Sequence, residues 1–88
     1  MGYTHREFYR NLPYAMKDLN YRLQEPDRVF IEFENGSISI TLGVPKDRRI
    51  ANLSLPYMDV HFKFEHLNAE QRKRFYNAFE RSYQKGGG

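Results

Sequence analysis

Three histidines, His5, His61 and His66, are the side chains of this 88-residue chain best suited to proton transfer near neutral pH. No two of them have the i, i+4 helical spacing or the His-x-His strand spacing that sets two imidazoles on one metal ion. His61 follows Asp59 by two residues, so a strand would carry imidazole and carboxylate on one face, where the acid could orient a base. A surface histidine beside a chance acid gives the same spacing. No nucleophile pattern accompanies it. Gly-x-Ser-x-Gly and the phosphate and dinucleotide glycine patterns are absent, and Ser37, Ser39 and Ser54 read as solvated strand residues. With no cysteine, disulfides, thiolate metal sites and cysteine nucleophiles are excluded. Glu32 and Glu34 form a same-face carboxylate pair with Glu65 nearby, but no cleft is implied around them, and charges on a strand also discourage edge-to-edge pairing. The expectation is a non-enzyme with no cofactor and no metal.

Binding residues are more informative. The outer face of the predicted sheet carries Arg28, Phe30, Ser39, Thr41, Asn52, Ser54, His61 and Lys63, and Phe30 is an aromatic where the pattern calls for solvent. Phe30, Tyr57, His61 and Lys63 therefore make a candidate partner surface, for another protein or for a second copy docked sheet to sheet. Aromatics among basic side chains also stack nucleic-acid bases. The net charge is +3. Residues 1–27 and 28–67 each balance, so the excess lies in 68–88, in Arg72, Lys73, Arg74, Arg81 and Lys85 against Glu70 and Glu80. Arg72, Lys73, Arg74 and Arg81, with Arg48 and Arg49 in a loop, form a candidate phosphate-contacting surface, without a helix-turn-helix or other base-reading motif. The terminal Gly86-Gly87-Gly88 resembles the tails of ubiquitin-like carriers, although those tails follow a strand and this one follows a predicted helix.

The elements that hold these residues follow from periodicity. Thr4-His5-Arg6-Glu7 has the form of a capping box, and Phe8, Leu12, Ala15, Met16, Leu19 and Leu23 mark one helical stripe. The spacing predicts one helix over about 5–24, bent or restarted near Pro13, with Asn11 as a cap for a restart. Val29, Ile31 and Phe33, then Ile38, Ile40 and Leu42, alternate about Asn35-Gly36, the dipeptide of a type I′ hairpin turn. A loop over Gly43–Asp47 leads to a strand with Ala51, Leu53 and Leu55 inward. Met58 to Glu65 then alternates again, separated from it by a tight hairpin or a bend at Pro56. Asn68 and Gln71 cap a final helix whose stripe is Phe75, Phe79 and Tyr83.

The order predicts an α+β two-layer sandwich: an antiparallel meander of three to four strands flanked by an N-terminal and a C-terminal helix, both on one sheet face. Residues 1–85 form one domain and 86–88 a flexible glycine tail. The expected core is Phe8, Leu12, Met16, Leu19, Leu23, Val29, Ile31, Phe33, Ile38, Ile40, Leu42, Leu53, Leu55, Val60, Phe62, Phe64, Phe75 and Phe79. No apolar run reaches the roughly 20 residues of a membrane span, and the first residues are polar, so a soluble cytoplasmic protein without a membrane partner is expected. In layout this resembles frataxin-like folds. That resemblance would imply iron held by an acidic ridge on the first helix and strand. Here the first helix is charge-balanced and exposes Arg6, Arg10, Lys17 and Arg22, so the likeness carries the layout and not the iron. The expectation is a binding module acting through protein contacts with an unidentified partner or as a homodimer; nucleic-acid binding is the alternative, and a carrier role for the glycine tail a distant third.

Overall fold

The computed structural model describes residues 2–17, 19–24 and 27–87. Helix α1 (His5–Met16) begins as its sequence dictates: Glu7 N donates to Thr4 Oγ1 at 3.2 Å and Thr4 N donates to Glu7 Oε1 at 3.0 Å. These bonds, backbone first, hold the Glu7 carboxyl below its ordinary pKa, with Arg10 adding to the effect. Pro13 is accommodated within one helix, and Asn11 caps no restart, since its side chain donates to the Glu7 carbonyl at 3.1 Å. The helix ends at Met16, not near residue 24. Lys17 turns out at φ 45° with its N–H on the Pro13 carbonyl, and Asn20–Gln24 forms strand β1. Leu19 and Leu23 misled because a spacing of four fits one helical turn and two strand periods alike; Tyr21 and Leu23 instead alternate along β1, opposite Ile31 and Val29.

Strands β2 (Arg28–Phe33) and β3 (Gly36–Leu42) pair as expected, but Phe33 lies opposite Gly36, so the turn is Glu34-Asn35, one residue earlier than Asn-Gly suggests. Glu34 takes the positive φ of 54° and Gly36 does not. Glycine is required at 36 for space: a Cβ there would lie 2.2 Å from the Glu65 carbonyl oxygen and 2.7 Å from the Leu67 side chain. Strands β4 (Lys46–Ile50) and β5 (Leu53–Tyr57) pair only with each other, while β6 (Val60–Glu65) pairs with β3. The main sheet is antiparallel in the order β1-β2-β3-β6, and β4–β5 is a separate two-stranded ribbon. Helix α2 (Ala69–Gly87) completes the chain and continues through Gly86, where a free tail was expected; Gly88 lies outside the described residues.

Register places Val29 and Ile31, then Ile38, Ile40 and Leu42, then Val60, Phe62 and Phe64 on one sheet face. Both helices cover that face, joining Phe8, Leu12 and Met16 of α1 to Phe75, Phe79 and Tyr83 of α2 in one core. Leu23, Leu53 and Leu55 do not belong to it: they are 58%, 63% and 45% exposed, because one lies on an edge strand and two on the ribbon. Met58 and Tyr83, absent from the expected core, are buried. Tyr83 braces the helices. Its ring stacks on Phe8 at 4.9 Å and lies 4.6 Å from Phe79, its hydroxyl donates to the Phe8 carbonyl at 2.7 Å, and its own carbonyl accepts from the Tyr3 hydroxyl. Burial pushes its phenol well above the usual range.

Two substitutions test this packing by urea denaturation. Tyr83→Phe keeps the ring and loses the bond to Phe8, so it should cost about 1 kcal/mol. Gly36→Ala forces the β3 and β6 backbones apart and should cost about 2 kcal/mol or more.

Candidate functional site

The ribbon arises because β3 and β6 outrun the sheet. Past Leu42 and Val60, the last paired residues, Gly43 N donates to the Asp59 carbonyl at 2.7 Å and Lys46 Nζ lies 3.5 Å from Asp59 Oδ2. Beyond that junction β4 and β5 continue as an arm closed by Ala51-Asn52, with Ala51 at φ 56°. Neither option at Pro56 describes the structure: Pro56 lies within β5 opposite Asp47, and β5 and β6 are separate strands divided at Met58-Asp59, where Met58 is anchored in the core. The stretch expected to form one strand over 49–55 is the arm's turn with its flanks, and the loop expected over 43–47 is shortened by β4.

The arm is amphipathic. Opposed pairs Ile50–Leu53, Arg48–Leu55 and Lys46–Tyr57 lie on one face, and Asp47–Pro56 with Arg49–Ser54 on the other. Every residue of β4 and β5 is exposed except the half-buried Tyr57. Ile50 is 52% exposed, and an isolated two-stranded hairpin is at best marginally stable in water. Gly2 joins Arg48, Leu55, Pro56 and Tyr57 of the arm in lining a groove of about 360 Å³.

The predicted site residues are distributed differently from expectation. On the outer sheet face, Arg22, Phe30, Ser39 and Lys63 form one cross-strand row, and His61 belongs to the next row with Gln24, Arg28 and Thr41. Phe30 is roofed by Arg22, whose guanidinium carbon lies 5.0 Å from the ring centroid. Tyr57 lies apart, on the arm. Arg48 and Arg49 are on opposite arm faces. In α2, Arg72 and Lys73 are exposed, but Arg74 is committed to a bidentate contact with Glu34 at 2.8 and 3.2 Å. Consecutive helical residues also point about 100° apart, so Arg72, Lys73, Arg74 and Arg81 do not form one patch. Lys85 has no described side chain. His5 Nε2 lies 2.8 Å from the Gly43 carbonyl, and the His66 carbonyl accepts from Asn35 Nδ2 at 3.2 Å. The Glu32–Glu34 pair is split, since Glu34 turns out of the strand.

Glu34 is structural in consequence. Gln71 and Asn68 cap α2 reciprocally at 2.8 Å, and the Gln71 amide donates its two hydrogens to Glu34 Oε1 at 2.7 Å and Asn35 Oδ1 at 2.8 Å. The hydrogen bond from Arg74, then that from Gln71, holds the Glu34 carboxyl below its ordinary pKa and raises Arg74 in turn. Among the described residues no three of His, Cys, Asp and Glu come together as a metal would need, and no helix is long and apolar enough to cross a membrane.

A second groove, of about 390 Å³, runs between β6 and α2. Val60, Phe62, Tyr76 and Phe79 make its apolar walls, and Asp59, His61 and Glu80 its polar rim. Neither the arm's apolar face nor this groove was legible as a site, because Leu53 and Leu55 read as core; the available signal was the basic run Lys46–Arg49 alternating into them.

A carboxylate with a lowered folded-state pKa contributes stability above its unfolded pKa and loses it as pH falls through the folded value. Glu34→Gln should therefore lower stability at neutral pH and flatten the loss of stability below about pH 4, read from urea midpoints across an acid series. No family model, curated protein or solved structure matches this chain.

Proposed function

We propose that this chain is a small non-enzymatic binding module that works through protein contacts and self-associates through its β4–β5 arm. The observation that supports the reading is the arm itself: twelve residues held out from the core with Ile50, Leu53 and Leu55 in a solvated apolar row. Exposed apolar area of this kind on a structure that hardly stabilises itself is an element waiting for a surface. The open sheet face is the weaker contact candidate, because its rows are polar and Phe30 already has Arg22 over it. The lowered carboxyls and raised phenols belong to structural contacts, in the α1 cap, the Glu34–Arg74 clamp and the buried Tyr83 with half-buried Tyr3 and Tyr9.

Nucleic-acid binding is the second reading, favoured by one feature: Lys46, Arg48 and Arg49 outnumber Asp47 on a ribbon of the kind that enters DNA grooves. Sedimentation velocity over a wide protein concentration range separates the two. Self-association should persist at high salt, and Leu53→Ser with Leu55→Ser should weaken it by about 2 kcal/mol or more, roughly thirtyfold in Kd. Core NMR signals should be retained in that variant. A wild-type monomer at all concentrations overturns the reading. Should that monomer bind oligonucleotides with steep salt dependence, the arm passes to phosphate contact.

A further inference from the structure

Resting on the self-association just proposed, we propose that the arm of one copy seats in the β6–α2 groove of a second copy, and that the exchange is reciprocal. The two surfaces match in chemistry. The arm face offers Ile50, Leu53 and Leu55 flanked by Arg48, while Lys46 at its base lies against its own Asp59. The groove offers Val60, Phe62, Tyr76 and Phe79 flanked by the carboxylates of Asp59 and Glu80. Aliphatic side chains meet aromatic walls, and the Arg48 guanidinium at the margin of the arm faces the Glu80 carboxylate at the rim of the groove. Tyr76, 44% exposed, is the most open of the large apolar side chains lining the groove. Because β6 ends the sheet order, its outer backbone edge borders the groove and can pair with an incoming strand.

The occupant has to come from another molecule. Asp59 and Val60 line the groove and also start β6 where the arm departs. For the arm to fold back into its own groove, the chain would have to reverse at Met58-Asp59. That would withdraw Met58 from the core and break the Gly43–Asp59 backbone bond. A twofold axis removes the difficulty: each arm keeps its own junction at Met58-Asp59 and reaches the groove of the other copy. Such an isologous contact closes on itself and doubles the area one arm could bury.

The absence of native cysteine makes the test direct. Leu53→Cys and isotopically labelled Tyr76→Cys proteins, both altered at exposed positions, are mixed under mild oxidation and the disulfides are read by mass spectrometry. The expected main product joins residue 53 of one copy to residue 76 of the other. Adding Arg48→Glu to the first protein should reduce that product at least tenfold, and adding Glu80→Lys to the second should restore most of it. A dimer that gives mainly 53–53 product, or whose 53–76 product ignores both charge changes, overturns the arm-in-groove contact while leaving self-association standing. A protein that sediments as a monomer throughout overturns both.

Discussion

The pairing of β3 with β6 governs the rest of this molecule. Ile38 opposite Phe64, Ile40 opposite Phe62 and Leu42 opposite Val60 set which sheet face is apolar, and so where both helices must lie. The same ladder brings the Glu65 carbonyl so close to position 36 that only glycine fits there. That closeness moves the tight turn onto Glu34-Asn35, which the cap of α2 then grips through Gln71 and Arg74. At its other end the ladder runs past the edge of the core. No helix covers the extension, and the arm follows from that excess length.

Core and arm accordingly answer to different physics. The core is dense in aromatics that meet edge-on or stacked, from Phe33 and Phe75 at 5.6 Å to Phe8 and Tyr83 at 4.9 Å. Rings of this size let an 88-residue chain bury useful area in one layer between helices and sheet. The arm has no such support. Its two strands have only each other, and its aliphatic side chains lie in water. A fold that buries Met58 completely at the junction, then exposes Leu55 three residues earlier, keeps a sharp boundary between what stabilises the domain and what is available for contact.

The layout was legible because alternation and helical stripes are strong where one face is buried: Val29 to Phe33, Ile38 to Leu42, Val60 to Phe64 and Phe75 to Tyr83 each took the element their period indicates. The failures share a cause. Leu19 and Leu23 fit two periods at once, and the short reach of propensity could not show that Tyr21 and Leu23 would find β2. Leu53 and Leu55 alternate like core residues, but alternation reports that a strand has an apolar face, not that anything covers it. Tyr83 and Met58 lay on the right stripes; their complete burial depended on how the helices and the strand junction closed over them.

Charge shows the same limit in a form that bears on function. Summed along the chain, residues 28–67 are neutral and the basic excess falls in the last helix. Folding reverses that picture. In α2, Arg74 is neutralised against Glu34 and its neighbours point apart around the helix, so the excess is dispersed. In the neutral middle segment, Lys46, Arg48 and Arg49 are carried out on the arm, while Glu32, Glu34 and Glu65 stay at the opposite end of the sheet and Asp59 stays at the arm's base. A segment that looks featureless as a sum becomes separated charges in space, with Arg48 and Arg49 on the projection beside Ile50, Leu53 and Leu55, and Glu32 and Glu65 at the far end of the sheet. Within one molecule the base of the arm is tied to an acid, Lys46 lying 3.5 Å from Asp59, while Arg48 and Arg49 beyond it are carried away from the carboxylates of the sheet.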